Sequence, residues 1–100
     1  MHRTDKTNDM NWLEIISVKA AGSIERTRVI EICSKIRIPR MNGKSARMLV
    51  YGNSINNELT IHIYWSSPSA PEGKSPLGRA MSRTISDLGL VSHTVWVECA

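Results

Sequence analysis

The segment Glu58–Trp65, ELTIHIYW, alternates without a break. Leu59, Ile61, Ile63 and Trp65 fall on one side of an extended chain, and Thr60, His62 and Tyr64 on the other. A period of two is the mark of a strand with one face in a core. A second β-rich run, ARMLVYG (Ala46–Gly52), precedes it across the polar link NSINN. So short a link implies an antiparallel hairpin, and the rest of the chain must be arranged around it.

Upstream, NWLEIISVK (Asn11–Lys19) is short and rich in β-branched residues, a strand. Its buried face stays open, because Leu13 and Ile15 compete with Ile16 and Val18. Ser23 offers a helix N-cap, and Glu25 stands in the first turn where the helix dipole favours an acid. Val29, Ile32, Cys33 and Ile36 then recur at helical spacing until Pro39 ends the helix. A basic loop with Arg37, Arg40 and Lys44 leads to the hairpin, whose first strand adds Arg47. For these cations a solvated surface is preferred to a phosphate site.

Downstream, Ser66–Lys74 is a Ser/Pro-rich loop. Ser75 then caps a helix and Pro76 takes its first position, where a missing N–H costs nothing. Leu77, Ala80, Met81, Thr84, Ile85 and Leu88 form its expected inward stripe. Gly89 should end it, with Leu90 folding back on the last turn. The last strand is VSHTVWVEC (Val91–Cys99). Val91, His93, Val95, Val97 and Cys99 share one face; Ser92, Thr94, Trp96 and Glu98 share the other.

The order β-α-β-β-α-β is the ferredoxin-like α+β arrangement, with two helices on one face of an antiparallel sheet. The 100 residues divide into a polar tail, 1–10, and one domain, 11–100. A domain of this size buries a limited share of its surface, so pairing with a second copy would help it. The start MHRTDKTNDM has no apolar stretch, and no run in the chain is long enough to span a bilayer, which points to a cytoplasmic protein without membrane contact. Cys33 and Cys99 fall at apolar positions and read as buried free thiols. No metal-ligand spacing joins them to His2, His62 or His93, and no cofactor is implied.

The face away from the helices carries Thr60, His62, Tyr64 and Trp96. It is too apolar to stand bare in water and too polar for a plain core. Three arrangements suit it: a closed dimeric barrel with an enclosed cavity, a stacking platform for single-stranded RNA, or a solid seam with no ligand. RNA recognition of the RRM kind needs a Lys/Arg-Gly-aromatic signature on the third strand. ELTIHIYW lacks it, the chain has no Phe, and the net charge is only +4, so nucleic acid is disfavoured.

The element order, with IYWSS (Ile63–Ser67), SPLGRAM (Ser75–Met81) and LGLVSHTVW (Leu88–Trp96), resembles the antibiotic biosynthesis monooxygenase-like family of dimeric α/β barrels. The resemblance spans most of Trp12–Glu98 and rests on topology and scattered residues. It implies a homodimer whose barrel binds a small apolar or aromatic molecule, in some members with cofactor-independent monooxygenase chemistry. Those members use an Asn on the first strand, a Trp near the end of the third and a His or Arg on the second helix. Here Asn11 stands at the very start of the first strand, and alternation turns Trp65 toward the helices. Arg79 and Arg83 are the only such residues on the second helix. No catalytic residue is assigned. The ligand-binding candidates are His62, Tyr64, Trp65, Arg79 and Trp96, and the alternative is a structural or regulatory homodimer without catalysis. Each candidate has a plainer role: His62 as a structural hydrogen-bonding residue, Tyr64 and Trp96 as dimer packing, Trp65 as core, Arg79 as solvated charge.

Overall fold

The computed structural model describes residues 9–38 and 44–100. Most of the expected tail, Pro39 and Arg40 lie outside them. Strand β1 (Met10–Ala20) is followed by helix α1 (Ser23–Lys35), the hairpin β2 (Ser45–Gly52) and β3 (Glu58–Ser67), helix α2 (Pro76–Ile85), a 3-10 turn at Ser86–Leu88, and β4 (Gly89–Val97). The sheet order is β2-β3-β1-β4 and every pairing is antiparallel. This is the ferredoxin-like βαββαβ fold, with β1 and β3 inside and β2 and β4 at the edges.

The register resolves the ambiguity of β1. Trp12, Glu14, Ile16 and Val18 are buried, and Leu13 and Ile15 stand on the other face, half-buried. With Leu59, Ile61, Ile63 and Trp65 of β3 they build the sheet side of the core. Val29 and Cys33 of α1 and Met81 and Ile85 of α2 close it from above. Trp12 and Trp65 sit opposite each other across the β1–β3 ladder and stack, with ring centroids 5.2 Å apart.

Several expectations need correction. Ser23 is the first residue of α1; Gly22 is the N-cap and supplies no side-chain bond. α1 is therefore held by Val29 and Cys33 in the core, because its β-branched sequence has low intrinsic helicity. β3 runs through Ser67 because Ser45↔Ser66 and Met10↔Ser67 extend the ladders past Trp65. α2 stops at Ile85, and Ala80 and Thr84 are exposed, so its inward stripe is Gly78, Met81 and Ile85 with Leu77 at the margin. Gly89 is extended and already pairs with Ala20, so the chain enters β4 with no left-handed cap and leaves Leu90 exposed. Cys99 lies past the end of β4 and is exposed, whereas Cys33 is buried, which pushes its thiol up to about 11.

Gly78 sits where α2 crosses nearest the sheet. A Cβ there would overlap Glu14 Oε2 and lie 2.7 Å from His93 Cε1. Gly-to-Ala exchange in an exposed helix stabilises by about 1 kcal/mol. At this site the sign should reverse: Gly78→Ala is expected to cost about 1–3 kcal/mol, read as a lower urea midpoint at unchanged slope.

Candidate functional site

Glu14 is fully buried in the middle of the helix-packed face. An ionised carboxylate there survives only with its oxygens bonded. The register places its donors. Glu14 lies opposite Ile63 on β3 and Val95 on β4, so Trp65 and His93 are its diagonal neighbours on the two flanking strands. Trp65 Nε1 donates to Oε1 at 2.8 Å, and His93 Nε2 bonds Oε2 at 2.8 Å. From above, the α2 N-terminus supplies the Ser75 backbone N–H to Oε2 at 3.0 Å and the Ser75 hydroxyl to Oε1. Ser75 Oγ also accepts from the Gly78 N–H at 2.9 Å, which is the expected N-cap. On its far side, His93 Nδ1 meets Ser82 Oγ at 3.2 Å.

Burial alone would raise the Glu14 pKa; the bonds from Ser75, His93 and Trp65 outweigh it and hold the carboxyl below its ordinary value of 4.5. Trp12 extends the polar edge of this region by donating Nε1–H to Ser67 Oγ at 2.9 Å, and Ser67 in turn donates to the Ser69 carbonyl at 2.7 Å.

The opposite face holds a different chemistry. Thr60, His62 and Tyr64 of β3 point there, flanked by Leu13 and Ile15 of β1, Leu49 and Tyr51 of β2 and Trp96 of β4. His62 packs edge-on to Tyr51, with centroids 5.0 Å apart, and Arg47 lies over the Tyr64 ring at 5.4 Å. Trp96 turns its Nε1–H to Thr94 Oγ1 of its own strand at 2.9 Å. Tyr64 and Trp96 line one shallow depression of about 290 Å³ with Leu13.

Of the candidate ligand-binding residues, the fold brings His62, Tyr64 and Trp96 to this one face. Trp65 stands on the other side of the sheet, committed to Glu14 and to stacking on Trp12. Arg79 is exposed beside a separate cleft of about 410 Å³, bordered by Trp12, Ser75 and the loop after β3. The loop after β3 thus lies with α2 rather than beside His62. Asn11 bonds Glu98 at the end of the sheet, at 3.0 Å.

Sequence reasoning missed Glu14, Ser75 and His93 as a unit. The one signal was parity: the face that buries Trp12, Ile16 and Val18 must also bury Glu14, and His93 lies between Val91 and Val95. Among the described residues no cluster of three His, Cys, Asp or Glu side chains could hold a metal, and no helix is long and apolar enough to cross a membrane.

Because the folded carboxyl has a depressed pKa, its contribution to stability is complete above the unfolded value and is lost as pH falls from about 4.5 through the folded value. Glu14→Gln turns an amide N–H₂ toward donors that need acceptors. It should cost about 1–3 kcal/mol at neutral pH, and its stability should fall less than the parent's on acidification. Urea titrations at a series of pH values measure both.

No family model, no curated protein and no solved structure matches the chain.

Proposed function

We propose that the chain functions as a homodimer of the dimeric α/β-barrel type, with its open sheet face turned to a second copy and enclosing room for a small apolar or aromatic molecule. The observation that carries this is the composition of that face. Trp96 is 58 % exposed, Tyr51 48 % and Leu49 36 %, beside half-buried Leu13, Ile15 and Tyr64. Contiguous apolar and aromatic surface across a whole sheet marks an interaction site. Its charge suits a twofold partner. Between the Lys19–Glu58 end and the Asn11–Glu98 end, the strand residues of this face include one arginine, Arg47, and no carboxylate. Two copies can meet there without opposing acids, and Arg47 is spread over its own Tyr64. Single-stranded RNA would want a stripe of cations, which this face lacks. The likeness to the antibiotic biosynthesis monooxygenase-like family adds to the same reading.

A second reading, a structural or regulatory homodimer without catalysis, is favoured by a specific observation. Asn11 and Trp65 border one shallow depression at the sheet end, but Trp65 is buried and bonded to Glu14, Asn11 is bonded to Glu98, and Arg79 lines a different cleft on the outside of α2. The residue set of the family's monooxygenases is not assembled by them.

Sedimentation velocity at micromolar concentration should give a dimer, and Trp96→Asp should give a monomer of unchanged far-UV circular dichroism. A monomeric parent protein would overturn the barrel. His62→Ala should weaken binding of an anilinonaphthalene fluorescent probe while leaving the dimer intact; equal binding by parent and variant would favour the ligand-free reading.

A further inference from the structure

We propose that Ser82 is a nucleophile, with His93 as its base and Glu14 as the group that orients the base, and that it accepts an acyl group from an activated carboxylic ester at the β4 edge of the sheet. This does not rest on the open face, since all three side chains belong to its opposite side.

The donor and acceptor inventory directs the relay. An ionised carboxylate only accepts, so His93 must donate Nε2–H to Glu14 Oε2. In the neutral imidazole this leaves Nδ1 as a bare lone pair. The group facing Nδ1 is the Ser82 hydroxyl, at 3.2 Å, which therefore donates its proton there. Nucleophile to base and base to orienting acid are both within hydrogen-bond reach, the arrangement that activates serine for acyl transfer. The two ring nitrogens exchange their usual places, with serine on Nδ1 and carboxylate on Nε2.

The ring is also fixed. The His93 side chain is only 5 % exposed, and Gly78 gives it room, since a Cβ at 78 would lie 2.7 Å from Cε1 and 2.8 Å from Nε2. Glu14 is immobilised by Trp65 and Ser75. Ser82, by contrast, is only half-buried, and β4 is an edge strand. A buried charge, a buried imidazole and a half-buried serine are thus ranked in the order acyl transfer needs.

In the step itself, Ser82 Oγ attacks the ester carbonyl carbon as its proton passes to His93 Nδ1. The tetrahedral adduct collapses with cleavage of the carbonyl–alkoxy bond. The leaving alcohol takes the proton from His93, and an acyl ester remains on Ser82.

The test is incubation of the full chain with p-nitrophenyl acetate, followed by peptide mapping by mass spectrometry. Acetyl should accumulate on Ser82 and be absent there in Ser82→Ala. The rate should fall about 100-fold in His93→Gln, the low end of what a positioned base supplies. Glu14 is a positioning residue, and in Glu14→Gln of retained circular dichroism the rate should drop toward that of His93→Gln. No acetyl on Ser82, or an equal rate in either folded variant, overturns the proposal. Should both variants fail to fold, Ser82→Cys keeps the relay whole. Its thiol should be alkylated by iodoacetamide faster than the exposed thiol of Cys99 in the same molecule, and a slower reaction overturns the proposal.

Discussion

The carboxylate of Glu14 is the point on which the arrangement of this domain depends. Taking it out of water costs several kcal/mol, and only a full set of donors offsets that. The donors come from β3, from β4 and from the N-terminus of α2. No local segment could supply them, so the charge can be buried only when all these elements are in place together. It also occupies the helix N-terminus, where orphan N–H groups and the dipole both favour an anion. α2 is therefore pinned in position and register by a polar clamp, with Gly78 admitting the close approach. Among the described residues α1 has no such clamp; Gly22 gives it no side-chain cap, and Val29 and Cys33 seat it in the core.

The same clamp divides the labour of the sheet. Its helix face is an apolar core around one polar centre whose groups are bonded, while the face beyond mixes aromatic, apolar and polar side chains and is exposed. Trp65 shows the division most clearly. A tryptophan near the end of the third strand suggests a pocket wall, yet its indole N–H is spent on Glu14 and its ring on Trp12. It is unavailable to anything bound among His62, Tyr64 and Trp96. A ligand on the open face would meet phenol, imidazole and indole groups, with Arg47 at the side. That is a surface for aromatic packing and a few hydrogen bonds, not one for multiple charges.

Most of the fold was legible because its signals are local. Alternation marked β3 and β4, a short polar link marked the hairpin, and Ser75-Pro76 marked the start of α2. The misplaced details were local as well. Ser23 looked like a cap, but the chain turns at Gly22; Leu88 fits the stripe of α2, but the helix tightens to a 3-10 turn first. The polar centre was illegible for a different reason. Glu14 is 61 residues from Ser75 and 79 from His93, so no spacing rule connects them. β1 is apolar on both faces, since Leu13 and Ile15 serve the open side as Ile16 and Val18 serve the core. Choosing its buried face meant deciding that a glutamate goes inside, against the usual rule that acids stay out unless paired. The partner that permits it, His93, reads in isolation as one more half-buried residue of a strand.

β4 carries side chains of both surfaces. Thr94 and Trp96 turn to the open face, while His93 and Val95 turn to the helices. Successive side chains of a strand point to opposite sides, so one short segment serves two surfaces that cannot touch. A second copy covering Trp96 would bury the open face and leave Ser82 and His93 on the helix side, away from the contact. Mechanical coupling between them would have to pass through the β4 backbone, whose pairing with β1 runs from Trp12 to Ala20. An edge strand paired on one side only yields more readily than β1 or β3 would. Pairing through the open face and a reaction at Ser82 would for that reason be separable in chemistry yet joined in mechanics. A substitution on one face of β4 reaches the other only by moving the strand itself.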